Sequence, residues 1–121
     1  MKISDYTERK LQIFKRIKLQ GSVILHDEDA LYIAPLNDIS AGGIFINKLL
    51  SLPYGRSVRI VVKSKALRFP VQARGRIVRV QDKERPGIAV EFTSISSREQ
   101  EAIKNCVEEM QLEGSLKFEN E

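Results

Sequence analysis

Asn37-Asp38-Ile39-Ser40-Ala41-Gly42-Gly43-Ile44-Phe45-Ile46 carries a DxSxxG pattern on Asp38, Ser40 and Gly43 that runs directly into an apolar, strand-like segment. Asp38 and Ser40 are short polar side chains able to hydrogen-bond nearby backbone or the polar edge of a ligand. Gly42 and Gly43 permit positive φ and close approach of a partner to the main chain. The order of these residues suggests a ligand turn. Taken alone, the stretch is better read as an Asx-type turn whose glycine pair feeds a strand, so the rest of the chain has to decide.

Upstream, Leu31, Ile33 and the segment to Leu36 make a strand ended near Pro35, preceded by an acidic turn at His26-Asp27-Glu28-Asp29. Before that turn, Ile17, Leu19, Gly21, Val23 and Leu25 alternate with Lys18, Gln20, Ser22 and Ile24, the two-residue period of a long strand with one face inward. Downstream, Gly43 to Asn47 is a third strand, Pro53-Tyr54-Gly55 a turn, and Val58, Ile60 and Val62 the inward face of a fourth. Phe69, Val71, Ala73, Gly75 and Ile77 keep the period through a fifth, with Arg68, Gln72, Arg74 and Arg76 outward and Gly75 marking a bend. Arg85-Pro86-Gly87 turns into a sixth strand on which Ile88, Val90 and Phe92 share a face.

The period then changes. Ala102, Ile103, Cys106, Val107 and Met110 recur at three and four, which predicts an amphipathic helix over about 97–112. Ser96 with Glu99 forms a capping box at its start, and Gly114 can serve as the stop. Six short strands followed by one helix point to a small antiparallel barrel with the helix over an opening.

These features resemble the PilZ domain family, in which an RxxxR motif before the first barrel strand and a [D/N]xSxxG motif on a later strand grip cyclic di-GMP. The likeness runs from about Arg9 to about Met110. It rests on the basic segment Arg9-Lys10-Leu11-Gln12-Ile13-Phe14-Lys15-Arg16-Ile17, the DxSxxG stretch, Leu52-Pro53-Tyr54-Gly55-Arg56 and Gly87-Ile88-Ala89-Val90-Glu91-Phe92. The last two are similar to the family's LPxG turn and final strand. One departure stands out: with Arg16 as the second arginine, the first falls on Gln12, so the motif reads Gln12-Ile13-Phe14-Lys15-Arg16. The resemblance implies a six-stranded split barrel with a C-terminal helix. It divides the chain into a flexible arm at 1–8, a barrel domain at 9–112 and an acidic tail at 113–121.

At 121 residues the chain is one domain's worth. Its 42% apolar and 30% charged shares are those of a globular protein. No apolar run resembles a signal peptide or spans a bilayer, so a cytoplasmic protein without membrane insertion is expected. Cys106 is the only cysteine and His26 the only histidine, which excludes a disulfide or a Cys/His zinc site within one chain. Cys106 reads as core and His26 as a surface residue of its turn. No nucleophile, base and orienter stand at convincing spacing, so neither an enzyme nor a cofactor is read here. The net charge of +4 hides an asymmetry: residues 1–20 carry six Lys/Arg against two Asp/Glu, and residues 94–121 three against seven. A basic end beside a glycine turn suits a phosphate-bearing ligand, and an acidic helix repels duplex DNA.

Arginine serves both halves of a cyclic dinucleotide, because its planar fork takes a phosphate bidentately or the O6 and N7 edge of guanine. By resemblance, Arg16 is the first ligand residue, with Asp38 accepting from guanine's N–H donors, Ser40 beside it and Gly43 keeping the surface clear. Gln12 and Lys15 complete the segment. Arg9, Lys10, Gly42 and Arg79 are outer candidates; Arg9 or Lys10 folding over the ligand would supply the charge that Gln12 lacks. Arg74, Arg76 and Arg79 also fit an ordinary solvated strand face. The leading expectation is a stand-alone receptor, monomer or weak dimer, that signals through an unidentified protein partner. Its rival is a degenerate PilZ domain that binds no nucleotide and acts as an interaction adaptor. A third reading, a barrel binding nucleic acid, is disfavoured because few aromatics flank the arginines and there is no tryptophan, so neither DNA nor RNA is expected.

Overall fold

A computed structural model describes residues 14–119, with side chains through Glu113. In chain order the elements are β1 (Ile17–Lys18), β2 (Ser22–His26), β3 (Leu31–Ser40), β4 (Gly43–Ile46), β5 (Ser57–Lys63), β6 (Val71–Gln81), β7 (Gly87–Ile95) and α1 (Ser97–Glu119). The strands pair antiparallel in the order β1-β3-β2-β5-β6-β7-β4, and β4 pairs back onto β3. Six strands thus close a barrel, and β1 is an extra strand on its outside edge. The expected six-stranded barrel with a C-terminal helix is the observed fold.

Alternation fills the interior. Val23, Leu25, Ile60, Val62, Val71, Ile77, Ile88, Val90 and Phe92 are all buried in one cluster with Ile39, Ile44 and Ile46. Burying a Val, Leu, Ile or Phe side chain contributes about 1.5–3 kcal/mol, so this cluster is the main driving force. Ile103, Cys106 and Val107 of α1 join it, and Met110 packs against it. The helix lies on β1, β3 and β6. Glu99 N–H donates to Ser96 Oγ at 3.2 Å. The Glu99 carboxylate reaches back to Ser96 Oγ at 2.9 Å and also takes the Gln72 amide, which ties the helix start to β6.

Four expectations about the strands are corrected. The first strand breaks into β1 and β2 at Gly21, where a Cβ would meet the Lys63 carbonyl oxygen at 2.4 Å; close backbone approach needs the glycine. β3 does not end near Pro35 but continues to Ser40. Pro35 is tolerated because the β3–β4 ladder is irregular just beyond it, between Leu36 and Asp38, where a missing N–H costs least. Along β3, Tyr32, Ala34 and Leu36 pack inward, opposite Leu25 and Val23 of β2. Leu31 and Ile33 are therefore turned out, at 60% and 61% exposure, since a one-residue change of phase flips a whole strand. The fifth strand starts at Val71 rather than Phe69, because Pro70 cannot donate to the ladder. Phe69 instead lies 4.2 Å beneath the Arg98 guanidinium.

Gly75 stands at a register shift between β6 and β7, the bend its place in the strand predicted. α1 continues past Gly114 to Glu119, since one interior glycine costs about 1 kcal/mol and does not by itself stop a helix.

Two turns are latched together at one end of the barrel. Asp27 Oδ1 accepts the amides of Asp29 and Ala30, both at 2.9 Å. Its Oδ2 takes Arg56 Nη1 at 2.8 Å. Arg56 closes the Pro53 turn by donating its N–H to the Pro53 carbonyl at 3.1 Å, and Gly55 supplies the φ of 87° that this turn requires.

Candidate functional site

β1 is only two residues long, yet it fixes the site. Its pairing sets Ile17 opposite Ile39 and Lys18 opposite Asp38. Ile39 points into the core, so Asp38 and Ser40 on either side of it point away from it, Asp38 partly exposed and Ser40 covered. Arg16, just ahead of β1, reaches both. Its Nε donates to Asp38 Oδ1 at 2.8 Å, its Nη2 lies 2.6 Å from the same oxygen, and its Nη1 donates to Ser40 Oγ at 3.2 Å. Asp38 Oδ2 takes Asn37 Nδ2 at 3.0 Å.

Ser40 also holds the hairpin. Its Oγ accepts the Gly42 N–H at 3.1 Å and donates to the Gly43 carbonyl at 3.5 Å, and the residue is fully buried. The chain reverses over Ala41 and Gly42, fastened by Gln100 Nε2 donating to the Ala41 carbonyl at 3.4 Å and Phe92 N–H donating to the Gly42 carbonyl at 2.9 Å. Asp38 and Ser40 thus lie at the end of a strand, and the turn proper follows them. Among the described residues positive φ is found at Glu84 and Gly55, so neither Gly42 nor Gly43 uses the positive φ that glycine permits. What Gly43 contributes is a missing side chain.

Strand register extends the site across the barrel. Lys18, Asp38, Phe45, Ala89 and Arg79 stand side by side on β1, β3, β4, β7 and β6. Beside them runs a second row, Ser40, Gly43, Glu91 and Arg76. Gly43 places no side chain in that row between Ser40 and Glu91. Phe45 clusters with Val78 and Ala89, and the Arg79 guanidinium sits 5.9 Å from its ring centroid. Arg76 Nη2 lies 3.9 Å from Glu91 Oε2.

Arg16, Asp38, Ser40, Gly42 and Gly43 are therefore gathered at one place, with Arg79 on the same face three strands from Asp38. Lys15 is exposed beside Arg16 and enters none of these bonds. Gln12, Arg9 and Lys10 lie outside the described residues. Arg74 pairs with Arg59 and Ser94, further along β6. The sequence reading missed Phe45, Lys18 and Glu91. The signal for Glu91 was present, as the one charge inside the apolar run from Gly87 to Phe92. Among the described residues no group of three or more His, Cys, Asp or Glu is placed to hold a metal ion, and no helix is long and apolar enough to cross a membrane.

The family model for the PilZ domain matches residues 11–109. The fold is similar to the Bacillus subtilis inhibitor of motility MotI/DgrA at a TM-score of 0.70 and 20% identity, covering 83% of this chain and 51% of that one. It is similar to the PilZ domain with c-di-GMP of YcgR from Escherichia coli at a TM-score of 0.67 and 15% identity, covering 88% and 95%. A third likeness is MrkH, a c-di-GMP-dependent transcription regulatory factor, at a TM-score of 0.64 and 16% identity, covering 83% and 51%. The chain thus spans about half the length of the MotI and MrkH chains. No curated protein sequence matches it.

Proposed function

The chain belongs to the PilZ domain family, and from that premise we propose that it is a cyclic di-GMP receptor, an effector domain and not an enzyme, acting in the cytoplasm. The observation that carries the reading is the meeting of Arg16, Asp38 and Ser40 on the outer barrel face, from segments more than 20 residues apart. Arg16 offers its fork to a phosphate or to guanine O6 and N7. Asp38 accepts from the base's N1–H and N2–H, Ser40 bonds beside it, and the bare backbone at Gly42 and Gly43 leaves room for the purine. Lys15 and Arg79 are further candidates for the ligand, and the sequence adds Gln12, Arg9 and Lys10. Binding at the junction of the N-terminal segment and the barrel changes the surface offered to a partner protein, which is how the signal leaves the domain.

Calorimetric titration with cyclic di-GMP, with GMP as control, tests the proposal. Saturable heat with the dinucleotide and none with GMP supports it. The alternative, an adaptor that has lost the nucleotide, is favoured by Gln12 standing where the family carries arginine, and absence of heat at high ligand concentration decides for it.

A further inference from the structure

Two arginine–carboxylate pairs share the outer face. Arg16 with Asp38 is the first. Arg76 with Glu91 is the second, Nη2 to Oε2 at 3.9 Å. Gly43 lies between them, opposite Ser40 on β3 and opposite Glu91 on β7. By strand spacing and rise, the two carboxylate-bearing residues are about 10 Å apart across the sheet and about 7 Å along it, with a position that lacks a side chain between them.

Glu91 is buried, at 5% exposure, although its neighbours Val90 and Phe92 take the core side of β7. The next outward position on β7 is Ala89, packed in a small apolar cluster with Phe45 and Val78. The Arg76 side chain is partly exposed while that of Glu91 is covered, and desolvation of the carboxylate offsets much of the attraction between the two. The pair's chemistry suits a ligand. A carboxylate accepts from guanine's N1–H and N2–H, which adenine lacks, and a guanidinium donates to guanine O6 and N7. An arginine beside a carboxylate is thus complementary to one guanine, and cyclic di-GMP carries two.

We propose that Arg76 and Glu91 form a second guanine-reading pair, so that one base of the dinucleotide is read by Arg16 and Asp38 and the other across Gly43 by Glu91 and Arg76. This rests on the receptor reading above. It also gives the site the second arginine that Gln12 withholds, from β6 instead of the N-terminal segment.

The test compares cyclic di-GMP, the hybrid cyclic GMP–AMP and cyclic di-AMP by calorimetry on the full chain. The native protein is expected to bind cyclic di-GMP at least tenfold more tightly than the hybrid. Glu91→Gln, which keeps side-chain volume, is expected to shrink that preference at least fivefold, and Arg76→Gln to weaken cyclic di-GMP at least tenfold. Should either single variant melt below the assay temperature, the double variant Arg76→Gln/Glu91→Gln, with both charges gone, takes its place. Binding of cyclic di-GMP that neither prefers two guanines nor responds to these substitutions overturns the inference and makes the pair structural, while the receptor reading stands. Absence of cyclic di-GMP binding by the native chain overturns both.

Discussion

Arg16 and Asp38 hold each other through Nε and Nη2 converging on one carboxylate oxygen, at 2.8 and 2.6 Å, while Asp38 Oδ2 keeps a lone pair beyond its bond to Asn37. The pair thus positions the guanidinium without using up the carboxylate. A base edge can add to Oδ2, and the Arg16 fork can turn from Ser40 toward a phosphate at the loss of one hydrogen bond.

Arg16→Ala is expected to lower cyclic di-GMP affinity at least tenfold, since one bidentate arginine contact is worth about 1–3 kcal/mol. Because the side chain is half-buried in an ion pair, the free protein also loses about 1 kcal/mol, near 4 °C in melting temperature for a domain of this size. Calorimetry and a thermal melt separate the two effects. Unchanged affinity would place the ligand elsewhere.

Ser40→Ala strips the Gly42 N–H of its acceptor in a buried setting and removes a partner of Arg16. An unsatisfied buried amide costs about 1–3 kcal/mol, so the melting point drops further than for Arg16→Ala, and affinity falls with it. A lower melting point with unaltered affinity would restrict Ser40 to holding the hairpin.

Gln12→Arg restores the family's first arginine four residues before Arg16. It is expected to tighten cyclic di-GMP at least tenfold, to lose that gain when Arg16 is alanine, and to steepen the salt dependence by adding a phosphate-contacting charge. Titration at two salt concentrations measures both effects.

Asp27 predicts the acid limb of stability. The Asp29 amide foremost, then the Ala30 amide and the Arg56 guanidinium, hold its carboxyl below the usual carboxylate range, against the opposing effect of burial. A folded-state value below the unfolded one means that the stabilisation is full above about pH 4 and is lost as pH falls through the folded value. Asp27→Asn should lower the melting temperature at neutral pH and flatten its decline below pH 4, so that the native and variant curves converge in acid.

Cys106 is buried under α1, and burial, helped by Glu109, pushes its thiol up. The folded protein is expected to resist a thiol reagent at pH 8 and to react fully in denaturant. Rapid reaction without denaturant would show that the helix lifts from the barrel.

Much of this could be read from the chain. The two-residue alternation over Val23 and Leu25, Val58 to Val62 and Ile88 to Phe92 already marks strands with one apolar face, and the shift to three and four at Ala102 to Met110 marks the helix, because solvent exclusion acts on side-chain period alone. Along β3 the alternation misled. Leu31 and Ile33 look like core, but inward register belongs to Tyr32, Ala34 and Leu36, and two apolar phases on one strand can be told apart only by what lies opposite.

The site divides in the same way. Asp38, Ser40 and Gly43 are local in sequence, but their short polar side chains and missing Cβ suggest a ligand turn only together with the rest of the chain; Arg16 joins them by its likeness to a family motif. Glu91 and Arg76 could not be joined to them in advance. Their place beside Gly43 comes from the β4–β7 and β6–β7 pairings. Hydrogen-bond register is a property of two strands at once, fixed when the barrel closes, so the sequence by itself determined most of the strands, the helix and the place of the DxSxxG stretch, and only the tertiary structure decided which arginines and carboxylates stand around it.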